Sequence, residues 1–212
     1  MTLAAALSRA ARYGDYFATH DSGAIPAFDL DAAVRATAAR LGATETRVAA
    51  SALQYEFAER LWTVSLGTWA IARQVLDLGS LRYGSVHDGR LAVGFTTLSG
   101  TSATTAEETA ELLFHNVVDI QLTAFHRELR SAVKMADGLL WGNAATALVL
   151  ATRSASRVRS SYAATALLLQ RAPLAGRLTG PIATPQRRSC CLYYRTAAGR
   201  TCSDCPLPKV PA

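Results

Sequence analysis

Four cysteines carry the chemistry most legible in this sequence. They read Cys190-Cys191, ten further residues, then Cys202-Ser203-Asp204-Cys205-Pro206, and no cysteine occurs in the first 189 residues. Thiols stay reduced in a cytosol, so a cluster of this kind reads as a metal site before a disulfide framework.

Four chemistries compete for the spacing. The Cys202-x-x-Cys205 half has the form of a redox dithiol. That chemistry wants its first cysteine at a helix N-terminus, where the dipole lowers the thiol pKa, and here Pro206 and Pro208 follow. A vicinal Cys190–Cys191 disulfide would be strained and would leave the other two thiols unexplained. A structural zinc takes four thiolates, usually as two chelating pairs with about two residues between partners, whereas adjacent cysteines tend to point apart. A binuclear iron–sulfur cluster shares four thiolates between two irons, so neighbouring thiolates need not chelate one ion. The spacing suits this last reading best, with zinc the alternative. Leu192, Tyr193, Tyr194, Leu207 and Val210 would give the site a partly apolar shell, which tunes potential and water access.

The charge is placed around the same motif. The chain of 212 residues carries a net charge of +6, and all but two of its 22 basic residues (Lys134 and Lys209) are arginine. Between Arg187 and Lys209, five basic residues face one acid, Asp204. A local field of that sign attracts anions, which makes Arg187, Arg188, Arg195 and Arg200 candidate docking side chains for a substrate or partner. Arg153, Arg157, Arg159 and Arg171 form a second basic stretch, read as a solvated helix face. A pI of about 9.5 is compatible with nucleic acid, but no recognition motif supports that partner.

The elements that must position the thiols read as mostly helical. Half of the residues are hydrophobic and 18% are charged, as expected of a packed globule. Asp29 can N-cap a helix that stops at Gly42. A second helix starts near Thr44 or Thr46, lines one face with Leu53, Phe57, Leu61 and Val64, and runs on to Val75 and Leu76, with Gly79 as its stop. Leu81 to Thr97 alternates around Asp88-Gly89, a hairpin signal. Thr105-x-x-Glu108 is a capping box opening a long helix to about Met135, and two more helices are expected over Leu139–Ser154 and Arg157–Gln170. Six of the seven prolines lie beyond Ala172, a segment that cannot extend a helix but can fold around a metal. The expected fold is therefore mainly α with a small β-hairpin (α+β). It divides into a helical domain, 1–180, with the hairpin near 81–97, and a proline-rich, cysteine-containing metal-binding segment, 181–212. The longest apolar stretch, Gly138 to Thr152, is interrupted by Asn143 and falls short of the ~20 residues a membrane span needs. With no secretory leader visible, the expected location is the cytoplasm.

The stretch Arg187-Arg188-Ser189-Cys190-Cys191-Leu192-Tyr193-Tyr194-Arg195…Gly199…Cys202-Ser203-Asp204-Cys205-Pro206-Leu207 resembles the C-terminal signature of the FhuF-type ferric-siderophore reductases, with a complete match in cysteine spacing. Upstream, Leu140-Trp141-Gly142-Asn143-Ala144-Ala145 resembles the Gly-Asn helix segment of that family, and Ala58-Glu59-Arg60-Leu61-Trp62, more loosely, its Ala-Arg-Leu stretch. The resemblance implies a [2Fe–2S] cluster on Cys190, Cys191, Cys202 and Cys205. It also implies one-electron reduction of Fe(III) held by a siderophore, of hydroxamate type among others, with a ferredoxin or flavin reductase as electron donor. A non-catalytic [2Fe–2S] relay and a structural zinc module are the alternatives.

Other candidates have simpler readings. His115 and His126 lie about 16 Å apart along one predicted helix, too far to share a metal, and read as ordinary helix-face residues. Glu107, Glu108 and Glu111 fit the dipole of a helix N-terminus. Trp62 and Trp69 read as core, and a buried Asn143 would need hydrogen-bond partners.

Overall fold

A computed structural model describes residues 1–85 and 90–207. The turn residues Asp88-Gly89 of the expected hairpin, together with His87, Lys209 and Val210, lie outside the described residues.

The fold is mainly helical with small antiparallel strand pairs, and it is organised around one long helix. α1 (Leu3–Ala10) precedes α2 (Leu30–Leu41), which begins at Asp29, whose carboxylate accepts from Ala32 N–H at 2.9 Å, and ends at Gly42 in the left-handed conformation. α3 (Thr46–Ala72) follows, and its residues are buried on nearly every side. A helix apolar all round has no solvent face to offer. α1 and α2 cover part of α3, and α6 (Asp137–Ala155) lies along it as its principal partner. Small residues at the α6 contact, among them Ala144, Ala145, Ala147 and Ala151, let the two backbones approach, and the Trp62 indole N–H donates to Ala144 O at 3.1 Å.

α3 stops earlier than its apolar pattern suggests. Arg73 adopts φ 59° and turns the chain out of the helix. Gln74–Leu76, expected as helix, is instead strand β1, paired with β4 (Gly100–Ser102). The apolar Val75 and Leu76 serve either conformation, so the pattern alone could not choose. β2 (Leu81–Ser85) and β3 (Leu91–Phe95) form the expected antiparallel pair. Tyr83 from β2 joins Phe57, Phe125 and Phe28 in an aromatic cluster whose nearest rings, Phe57 and Phe125, are 4.3 Å apart.

The capping box is present at Thr105 and Glu108, and α4 (Ala106–Leu113) continues as a π-helical stretch, Phe114–Leu122, into α5 (Thr123–Ala132). Within that stretch Asn116 accepts from Leu78 N–H and Gln121 donates to Leu78 C=O at 2.6 Å, so both backbone groups of a buried loop residue are paired. α7 (Tyr162–Leu169) is shorter than expected because residues 156–161 form a turn closed by Ser156 and Ser161. β5 (Leu178–Thr179) and β6 (Gln186–Arg187) pair just ahead of the thiol segment. No helix among the described residues is long and apolar enough to cross a membrane; the apolar stretch of α6 is core.

Two glycines let the C-terminal segment reach the helices. A Cβ on Gly142 of α6 would sit 2.5 Å from Ser189 Oγ, and one on Gly42 would sit 2.6 Å from the Ala197 Cβ. Gly42 also holds φ +59°, and Ala197 N–H donates to Leu41 O at 3.0 Å beside it. Gly42→Ala therefore combines left-handed strain with a clash against backbone-linked carbon, and is expected to cost about 2 kcal/mol. Urea unfolding of wild type and variant at equal m-value checks this; an unchanged midpoint would show that the segment does not pack there.

Candidate functional site

The segment from Arg187 to Leu207 is a loop, and its shape comes from hydrogen bonds to the helices beneath it. Ser51 on α3 donates to Cys191 O at 2.7 Å. Asn143 on α6 donates to Ser51 O and Ser51 Oγ, at 3.1 and 3.2 Å, and accepts from Arg187 Nη1. Arg187 Nε also bonds Asp204 Oδ2, which accepts from Thr146 Oγ1 at 2.6 Å. Arg187 N–H donates to Asp204 O at 2.9 Å, closing the two ends of the segment on each other. On the far side, Arg195 pairs with Glu45 at 2.7 Å, at the corner between α2 and α3.

This network is buried. Arg187 is 4% exposed, Asp204 6% and Asn143 not at all. Burial alone would drive Arg187 and Asp204 toward their neutral forms. For Asp204 the guanidinium and the Thr146 hydroxyl offset it and hold the carboxyl below its ordinary value; for Arg187 the carboxylate does the same and keeps it cationic.

The loop brings two of the four thiols into contact, and among the described residues no three His, Cys, Asp or Glu side chains are grouped closely enough to hold a metal ion. Cys191 and Cys202 form an inner pair with sulfurs 3.4 Å apart, Cys191 being 9% exposed. The hydrogen bond between the two sulfurs, with the Arg187 guanidinium behind it, holds Cys191 below its ordinary thiol value and drives Cys202 up. Cys190 and Cys205 lie further out, and neither bonds the inner pair. Leu192 N–H donates to Cys190 Sγ at 3.3 Å and Leu207 N–H to Cys205 Sγ at 3.4 Å. Leu192 takes φ 67°, a left-handed conformation worth roughly 1–3 kcal/mol of strain for a branched residue, and the turn it makes aims backbone N–H groups at sulfur. Cys205 N–H donates to Cys202 O, tightening the second turn. Thiolate-directed N–H groups, a thiol depressed in pKa and a buried cation are the surroundings expected of a metal–thiolate site.

A cavity of about 320 Å³ opens against the inner pair. Cys191 and Cys202 line it; Cys190 and Cys205 do not. Its other walls include Tyr16, Tyr55, Glu56, Glu59 and Tyr193. Glu56 is engaged, accepting from Arg40 at 2.6 Å and from Leu91 N–H at 2.8 Å. Burial, with the Glu56 charge beside it, raises the Glu59 carboxyl to about 7, and burial raises Tyr55 well above its ordinary value.

The other residues singled out in the sequence fall into place around this site. Arg187 is interior, not on a docking surface, because its guanidinium is committed to Asp204 and Asn143. Arg188, Arg195 and Arg200 are exposed. Asn143 is buried and does hold the thiol segment. His115 is exposed beside Asp119, while His126 is buried on Gln54 at 2.8 Å and against Trp141, which lowers its pKa to about 4. Glu111 pairs with Arg171, and Arg153 and Arg159 bond backbone carbonyls, so the basic stretch is dispersed. Ser51, Thr146, Tyr55 and Glu59 were not foreseen. Their one sequence signal is a polar side chain on a helix that is otherwise largely buried.

Fold and loop together thus define a helical protein with a cysteine-rich C-terminal loop. Residues 187–207 match the family described as the FhuF 2Fe-2S C-terminal domain. That match spans the four cysteines, is consistent with a FhuF-type family and implies a [2Fe–2S] cluster. Searches of curated proteins and of solved structures yield no match.

The raised carboxyl of Glu59 makes a pH prediction. A group whose folded pKa lies above its unfolded value, here about 7 against 4.5, contributes stability at low pH that is lost as pH rises through that window. Glu59→Gln is therefore expected to match wild type at pH 4.5 and exceed it in stability at pH 8. Urea midpoints at the two pH values decide it; a variant no more stable at pH 8 would mean that the carboxylate is solvated.

Proposed function

We propose that this chain is an iron–sulfur ferric-siderophore reductase of the cytoplasm, with Cys190, Cys191, Cys202 and Cys205 as the cluster ligands. The observation that carries the reading is the inner cysteine pair sharing the wall of a cavity of about 320 Å³ with a buried cation. Four cysteine side chains within one short segment suit a binuclear cluster in number and chemistry. Cys190, Cys191, Cys202 and Cys205 would hold it, with backbone N–H groups of Leu192 and Leu207 directed at Cys190 and Cys205.

The cluster, when bound, supplies one electron to Fe(III) presented by a docked siderophore. The chain's own residues provide the rest. Tyr16, Tyr55, Tyr193 and Leu150 offer a partly apolar surface on which a chelate can lie against the Cys191 and Cys202 side. Hard oxygen donors such as hydroxamates hold Fe(III) far more tightly than Fe(II), so reduction alone loosens the metal, and the protein needs no nucleophile against the chelator. Arg40 and Arg187 are neutralised by Glu56 and Asp204, leaving Glu59 as the remaining acid on the wall. That lining favours a neutral or cationic complex, such as a ferric trihydroxamate, over a trianionic tricatecholate. Arg188 and Arg200, both exposed, are the available partners for an acidic electron carrier such as a ferredoxin; a flavin reductase is the other class of donor.

The test is made on protein purified without oxygen. Two irons and two sulfides per chain are expected, with visible absorption that bleaches on reduction. The reduced protein is then expected to reoxidise at least tenfold faster with a ferric trihydroxamate than with a ferric tricatecholate, followed by stopped-flow absorbance with an Fe(II) chelator present. One zinc without sulfide would end the cluster reading. A reduced cluster that no ferric chelate reoxidises would leave an electron relay.

A further inference from the structure

The Arg187–Asp204 pair does more than tie the loop down. Both members line the cavity shared by Cys191 and Cys202, and both are buried, so their charges are fixed in place and poorly screened. Asn143 links the guanidinium to Ser51, which holds the Cys191 carbonyl, while Asp204 lies within the Cys202–Cys205 turn, so both charges are fixed beside the inner pair. The remaining charges on that wall are weaker counterparts: Arg40 and Glu56 neutralise each other, and Glu59 is held toward its neutral form.

An iron–thiolate group gains one negative charge on reduction, and hydrogen bonds and charges beside its sulfurs set its potential. A preoriented charge does this with no reorganisation at the moment of transfer. Resting on the ligation proposed above, we propose that Arg187 is a positioning residue for electron transfer. Its guanidinium, set against the inner cysteine pair and partly balanced by Asp204, raises the potential of the group those cysteines hold. The half-reaction is the addition of one electron from an external reductant to one ferric iron, which becomes ferrous; no bond is made or broken and no proton moves. A surface arginine could not serve, since solvent and salt would screen it.

Redox titration of the anaerobically purified full chain, followed by visible absorption, tests this with Arg187→Gln, Asp204→Asn, the double variant and Arg187→Lys. Arg187→Gln is expected to lower the reduced-to-oxidised ratio at fixed poise at least tenfold, about 59 mV for one electron. Asp204→Asn is expected to raise that ratio. The double variant should fall between the two single variants, and Arg187→Lys should stay within a few-fold of wild type. Each single variant is read by the sign of its own shift, so loss of one to misfolding leaves the other. Opposite shifts in the two single variants support the proposal. Shifts of one sign, or unchanged potentials with an intact spectrum, would reduce the pair to a mechanical tie. Wild-type protein without iron and sulfide would instead overturn the cluster reading itself.

Discussion

The buried ion pair between Arg187 and Asp204 is the interaction on which the C-terminal segment depends. A loop of some twenty residues with few apolar side chains cannot secure itself through a core of its own. Here its first and last turns are joined by a charge pair and a backbone hydrogen bond, and the charges are satisfied further by Asn143 and Thr146 of α6. Taking two charges out of water is costly, and removing one partner of such a pair typically costs about 3–5 kcal/mol. The cost is offset in part because Asn143 and Thr146, held on α6, give the guanidinium and the carboxylate a further partner each. The thiols inherit that rigidity: Cys202 and Cys205 flank Asp204, and Cys191 hangs by its carbonyl from Ser51.

The helical body reads as a device for presenting those few polar groups at fixed positions. α3 and α6 pack through small side chains, which brings Ser51 and Asn143 within hydrogen-bond distance across the interface. Gly142, next to Asn143, leaves room for Ser189 where any other residue would have a Cβ. Gly-Asn is thus one structural unit, a gap for the loop followed by the amide that grips it. The same helices wall the cavity, so the surface that would hold a chelate and the loop that would hold the cluster share one scaffold.

Much of this was legible in the sequence, because local chemistry writes itself in local patterns. Caps at Asp29 and Thr105, the stop at Gly42 and the alternation of Leu81–Ser85 with Leu91–Phe95 depend on neighbours a few residues away. Val75 and Leu76 were misread because an apolar pair suits helix and strand alike, and the strand exists only because Gly100–Ser102 arrives to pair with it. The break between α6 and α7 was expected after Ser154, but it runs on to 161 rather than ending before Arg157, because the Ser156–Ser161 contacts that close the turn leave no local pattern.

For the site the division is sharper. The sequence by itself determined the four thiols, their spacing and the positive charge around them, since metal-ligand chemistry depends on residue type and short separations. Only the tertiary structure decided which of those charges face solvent and which face the sulfurs. In sequence Arg187 and Arg188 are equivalent neighbours; in the fold one is buried against Asp204 and Asn143 and the other is exposed. That difference, like the meeting of Ser51, Glu59, Thr146 and Cys191 around one cavity, depends on residues as far as 140 positions apart in the chain. It is fixed by how α3 and α6 pack, a property no window of sequence contains.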